Sequence, residues 1–235
     1  MTNKGDQDLE QIHGAIFDMD GTLLDSMPVY HGLSRDYLAG MGVRIRREEM
    51  AALEGKTQRQ WAEYFCTAYP QIGLSPEAFD AGLDRVIEAR YRAIARPKAG
   101  CMEFLEALKA RGVRMAVATL TARRHAAKAL EERGMLRFFD CMLTIEDVGV
   151  SKQEPDIYLR AAKQLGVAPG HCMVFEDAPY AGRTARRAGF SVCGVAEPAY
   201  ADGAAVLRAA ADWFIEHSYT ELHDQMQKFG ESGCI

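Results

Sequence analysis

Apolar and polar positions divide the chain into stretches of different period. After a polar leader, MTNKGDQDLEQ, the run Ala15-Ile16-Phe17 predicts a short buried strand. Residues 27 to 96 change character. Their apolar positions recur with a helical period, β-branched runs are few, and breaks fall at Gly40–Gly42, Tyr69-Pro70 and Gly73–Pro76. This stretch predicts a helical insert of about four helices. It ends at Arg96-Pro97-Lys98-Ala99-Gly100, where proline stops a helix and resets the chain.

From Gly100 onward, strands and helices alternate. CMEFLEALKARG predicts a helix closed by Gly112, VRMAVAT a strand, ARRHAAKALEERG a helix and FFDCMLT a strand. PDIYLRAAKQLG opens a helix with Pro155, HCMVFED is a strand, AGRTARRAG a helix and FSVCGV a strand. AAVLRAAA adds a helix, and DWFI a possible edge strand. Such alternation means βαβ units and an α/β fold with a parallel sheet. The first strand precedes the helical insert and the others follow it. The expected domains are therefore a discontinuous core, 1–27 and 97–235, and an insert, 28–96, with a frayed tail from about residue 223. An insert just beyond a strand's carboxyl end sits over the place where open α/β sheets bind ligands.

Composition narrows the function classes. A chain of 235 residues that is 48% hydrophobic and 26% charged can bury a substantial core. The formal net charge of −5 argues against nucleic acid as a partner, and Arg123-Arg124-His125 and Arg186-Arg187 fit solvated helix faces. The six cysteines are scattered without a CxxC pair, as expected of reduced thiols in a cytoplasmic protein. The leader is too polar for a signal peptide, and no apolar run reaches the ~20 residues of a membrane span. Monomer and homodimer both remain open.

Reactive residues gather where strands should end. Asp18 and Asp20 follow the first strand, Thr119 ends the second, and Glu176-Asp177 end HCMVFED. Lys152 lies in VGVSKQEPDIY, between a strand and its helix. Each residue alone has an ordinary reading: a turn, a helix cap, a surface charge, a helix start with a favourable dipole. In a parallel sheet all of these ends share one edge, so a carboxylate pair, a hydroxyl, a lysine and a second acidic pair face a common crevice. Two carboxylates so close need a cation, a proton or a ligand.

This constellation resembles the haloacid dehalogenase-like superfamily of phosphatases and phosphomutases, over nearly the whole chain. DMDGTLLDS is similar to the family's first motif, Thr119 to its second, Lys152 with Pro155-Asp156 to its third, and Glu176-Asp177 to its fourth. The resemblance implies a Rossmann-like core with a helical cap after the first strand, as in β-phosphoglucomutase-like and phosphoglycolate-phosphatase-like members. It further implies a Mg²⁺-dependent phosphatase acting on a small phosphorylated metabolite. Asp18 would be the nucleophile that forms an aspartyl-phosphate, and Asp20 the general acid and base. Lys152 would neutralise charge, and Thr119, with the backbone at Leu120 and Thr121, would hold the transferring oxygens. Asp18, the Asp20 carbonyl and Asp177 would hold Mg²⁺, with Glu176 either a further ligand or a residue that only holds the surrounding shell. A metal is needed because an anionic nucleophile and a phosphate repel by about 1 kcal/mol at ~4 Å even in water.

Cap residues would read the rest of the substrate. Lys56, Thr57 and Arg59 in EGKTQRQ resemble a specificity loop, with Tyr30 and His31 facing them. A sugar-phosphate mutase of this group would carry histidine twelve residues past the nucleophile, where this chain has Tyr30, and its loop arginine would fall at Gln58. Both departures favour a phosphatase over a β-phosphoglucomutase-type mutase. A reading from another class is a phosphorylatable regulatory domain, which would lack both the second acid and the helical insert.

Overall fold

The computed structural model describes residues 11–46, 48, 49 and 58–223. Its contacts divide the chain into two units, Met1–Met27 with Arg96–Ile235, and Pro28–Ala95. Arg96 falls on the core side of the expected boundary because it pairs with Asp25 in a two-stranded antiparallel ribbon, β2 (Leu24–Asp25) with β3 (Arg96–Pro97). The frayed tail expected from about residue 223 lies almost wholly outside the described residues.

The larger unit is built on six parallel strands: β1 (Gly14–Phe17), β4 (Arg114–Thr119), β5 (Cys141–Thr144), β6 (Cys172–Glu176), β7 (Ser191–Val195) and β8 (Trp213–Ile215). Their order is β5-β4-β1-β6-β7-β8. The strand expected over FFDCMLT is shorter, because residues 136–138 turn in a 3₁₀ segment before it. Every residue of β1 and of β6 is buried, as near-continuous apolar runs require when a parallel sheet is covered on both faces.

The helices supply that cover. They are α4 (Cys101–Ala110), α5 (Arg123–Glu131), α6 (Ile145–Val148), α7 (Asp156–Leu165), α8 (Pro179–Arg187) and α9 (Ala204–Ala210). On one face Phe175 stacks on Phe17 with ring centroids 4.3 Å apart, and Phe104 of α4 meets its edge at 5.6 Å. On the other, Ile16, Ala116 and Val174 share a core cluster with Ile157, Tyr158 and Leu165 of α7. From β1 the chain fills β4 and β5 on one side, then crosses to β6, β7 and β8 on the other. The strand order thus reverses at β1, and the carboxyl ends of β4, β1 and β6 border a topological switch point, where such sheets take ligands.

The smaller unit holds α1 (Leu33–Ala39), α2 (Gln58–Ala68) and α3 (Pro76–Ile94). α3 starts with a Ser75 cap that accepts from the Ala78 amide at 3.2 Å, followed by Pro76 in the first turn. It buries Phe79, Leu83, Ile87 and Tyr91, one residue every four along a single face. No described helix is long and apolar enough to cross a membrane.

Ile16 sits fully buried in the middle of the central strand. Ile16→Ala is expected to destabilise the chain by about 2–5 kcal/mol. Val206→Ala, at an exposed site of α9, should stay within about 0.5 kcal/mol. Urea midpoints measure both, and equal midpoints would contradict this assignment of the core.

Candidate active site

Asp18 follows β1 directly and continues its ladder, its amide donating to the Phe175 carbonyl at 3.0 Å. The carboxylate therefore emerges at the switch point, beside Glu176, the last residue of β6, and Asp177. Lys152 arrives from the loop between α6 and α7, almost wholly buried at 2% exposure. Its ammonium donates to Asp18 Oδ1 and, at 2.5 Å, to Glu176 Oε1. Glu176 Oε1 also accepts from the Tyr158 hydroxyl at 2.7 Å, while Oε2 takes a long bond, 3.4 Å, from the Ala178 amide.

Asp177 has a different environment. Its Oδ1 accepts from the Thr22 hydroxyl at 3.1 Å, but Oδ2 is buried with no hydrogen-bond partner among the described residues. That oxygen points at the Asp20-Gly21 turn: a Cβ on Gly21 would lie 2.1 Å from it, at a φ of +89° that side chains rarely adopt. Glycine is required there twice over.

Asp18, Glu176 and Asp177 each offer an oxygen within 4.8 Å of the others. Three carboxylates against one ammonium leave a formal surplus of two negative charges (−3 + 1 = −2) in a buried place. The cost appears in their proton affinities. Burial pushes Asp18 up to about 7, with Lys152 pulling it down and Glu176 and Asp20 adding to the rise. Burial, then the charges of Asp18 and Glu176, holds Asp177 well above the usual carboxylate range. Burial alone would lower Lys152, but Asp18 and Glu176 outweigh it and keep the ammonium above its ordinary value. An unpaired buried oxygen within an all-carboxylate donor set fits a hard divalent cation, which supplies the missing positive charge.

Asp20 is held differently again. Ser26 donates to its Oδ1 at 2.6 Å and Thr121 to its Oδ2 at 2.7 Å. Thr119 is buried at the end of β4, its Oγ1 accepting from the Thr121 amide at 3.1 Å. It does not cap α5, which starts four residues later. Leu120 lies half-buried between the two threonines.

The structure thus gathers Asp18, Asp20, Thr119, Leu120, Thr121, Lys152, Glu176 and Asp177 in one unit. The remaining expected residues belong to the other. Tyr30 bonds Tyr91 hydroxyl to hydroxyl at 3.0 Å, and the His31 carbonyl accepts from Arg90 at 2.9 Å. Arg59 lies in α2 rather than in a loop, donating to Glu63 at 2.9 Å and to Glu77 at 2.5 Å. Lys56 and Thr57 lie outside the described residues. Three residues at the site had not been singled out from sequence. Thr22 and Ser26 are small polar residues with no signal of their own, and Tyr158 has the pattern of any aromatic on a helix's buried face.

A model of the haloacid dehalogenase-like hydrolases matches residues 12–189. A phosphorylated carbohydrates phosphatase of Thermotoga maritima is 29% identical over 201 residues, 85% of this chain and 92% of the relative. The fructose-1-phosphate phosphatase YqaB of Escherichia coli K12 is 31% identical over 188 residues, 79% of this chain and 97% of the relative. A solved Thermotoga maritima structure, provisionally assigned as a β-phosphoglucomutase, superposes with a TM-score of 0.69 at 28% identity, over 87% of this chain and 94% of that one. The chain belongs to the haloacid dehalogenase-like hydrolase family.

Both aspartate shifts are upward, so the folded chain holds more protons than the unfolded chain above the ordinary value of 3.8, and for Asp18 up to about 7. Their contribution is therefore most favourable at the acid end of that window and is lost as pH rises through it. Metal-free protein is expected to lose several degrees of Tm between about pH 5 and about pH 8. Asp177→Asn should lose less, and a saturating divalent cation should flatten the wild-type profile. Scanning fluorimetry at stepped pH measures this, and a flat metal-free profile would contradict the unneutralised cluster.

Proposed function

We propose that the protein is a Mg²⁺-dependent phosphatase that hydrolyses the phosphate monoester of a small carbohydrate-like metabolite through an aspartyl-phosphate on Asp18. The observation that carries this reading is the buried Lys152–Asp18 contact beside the unpaired Asp177 oxygen. It provides a nucleophile held by a cation, next to an unmet demand for a second cation. Asp18, the Asp20 carbonyl and Asp177 are the proposed holders of Mg²⁺. When bound, Mg²⁺ would neutralise the charge of nucleophile and phosphate together and orient the ester.

The chain's own residues divide the remaining work. Lys152 holds Asp18 by Oδ1, which leaves Oδ2 to attack phosphorus. As the phosphorus–oxygen bond of the ester breaks, Asp20 protonates the departing oxygen. Ser26 and Thr121 keep that carboxyl aimed, and because hydroxyls accept as well as donate, either can turn when Asp20 carries the proton. Asp20 then takes a proton from water as the water attacks the phosphoryl group, and the bond to Asp18 Oδ2 breaks to release inorganic phosphate. Thr119 and the amides following it would hold the transferring oxygens.

The relatives named as phosphatases of phosphorylated carbohydrates support the substrate class, and the place of Tyr30 where a mutase would carry histidine supports hydrolysis over internal transfer. Phosphate release from a panel of sugar and hexitol phosphates, with Mg²⁺ and with chelator, is the direct test. Asp18→Asn should lower kcat at least about a thousandfold. Asp20→Ala should accumulate labelled phosphoenzyme from an aryl phosphate, whose leaving group needs no acid. Release that survives chelation or Asp18→Asn would overturn the mechanism.

A further inference from the structure

Glu176 raises a question of allocation. Its carboxylate lies within reach of the same cation position as Asp18 and Asp177, yet it also braces Lys152. One oxygen, Oε1, accepts both Lys152 Nζ at 2.5 Å and the Tyr158 hydroxyl at 2.7 Å. Tyr158 is fully buried in α7, packed in the cluster beneath β1 and β6, its ring 6.2 Å from that of Phe190. Its phenol is the only neutral side-chain donor recorded on Glu176 among the described residues. The ammonium of Lys152 also lies 5.8 Å from the centre of the Tyr158 ring, so one side chain borders both members of the pair.

We propose that Tyr158 is a positioning residue that holds Glu176 on Lys152 and away from the cation. A carboxylate oxygen occupied by two donors on one side has less electron density and less freedom to offer a metal on the other. The phenol thereby keeps two kinds of neutralisation separate: Lys152, braced by Glu176, serves Asp18 and the phosphate, while Asp177, with its unpaired oxygen, serves the cation. This role rests on the phosphatase reading above. It adds a residue outside the strand-end motifs, and it accounts for why a hydroxyl sits at a place where phenylalanine would fill the same volume.

Tyr158→Phe removes the hydroxyl and leaves the ring and its packing. If the phenol allocates Glu176, its loss lets the carboxylate turn toward the metal and leaves Lys152 loosely braced. Two parameters then move in opposite senses. Mn²⁺ should bind the metal-free variant about threefold more tightly than wild type, by calorimetry or by electron paramagnetic resonance of free Mn²⁺. With Mg²⁺ and the best sugar phosphate, kcat should fall about tenfold with KM within about twofold, as for other outer groups that orient a metal site. Phe190→Leu loosens the same packing without touching the hydroxyl, and should change neither quantity. A packing role alone would weaken Mn²⁺ binding in both variants along with Tm. Unchanged or weaker Mn²⁺ binding by Tyr158→Phe, or an undiminished kcat, overturns the proposal. If wild type turns over no phosphate ester, the phosphatase reading fails, and the Mn²⁺ arm, which needs no turnover, still decides whether Tyr158 restrains Glu176.

Discussion

A buried ammonium between two carboxylates organises this molecule's chemistry. Lys152 bridges Asp18 and Glu176 at the carboxyl ends of two neighbouring strands, where water contributes little to holding charge apart. Breaking such a pair would leave an uncompensated buried ion, among the most destabilising changes a core can suffer. The two strands below it are correspondingly closed to solvent: β1 and β6 carry no exposed residue, and Phe17 and Phe175 stack across them directly before the acids begin. Rigid apolar strands below and unneutralised charge above are complementary, because the first prevents the second from relaxing into solvent.

The residues just past Asp18 turn that rigidity into separate environments for two aspartates. Asp18 is buried and bonded to the Lys152 ammonium, whereas Asp20 accepts from the hydroxyls of Ser26 and Thr121. Gly21 lets the backbone fold back without a Cβ striking Asp177, so the turn brings Asp20 round while leaving the unpaired Asp177 oxygen uncovered.

Much of the site was legible because its residues sit at strand ends, and strand ends are marked by a change of period. Asp18, Thr119 and Glu176-Asp177 each close an apolar run, and βαβ alternation places such ends on one edge. Partners set by side-chain reach were not legible. Tyr158 lies on the buried face of α7 with Ile157, Ala161 and Leu165, and nothing in that spacing separates a hydroxyl donor from a packing aromatic. Arg59 presented the converse case. EGKTQRQ has the composition of a loop, yet helix runs from Gln58, and Arg59 pairs with Glu63 one turn on and with Glu77 on another helix.

The order of strands and helices, the place of the helical insert and the identity of the acidic, hydroxyl and lysine residues at the edge are properties of the linear chain. Local periodicity and stop signals determine them, and those need no knowledge of distant neighbours. Which oxygen meets which donor is decided only in three dimensions. Lys152 finds Asp18, 134 residues away, because the sheet sets β1 directly beside β6 and α7 packs over β4, β5 and β1. The unpaired Asp177 oxygen, the doubly engaged Glu176 oxygen and the hydroxyl clamp on Asp20 all follow from that non-local packing. Hydrogen bonds depend on tenths of an ångström, and only the closed core sets positions to that tolerance.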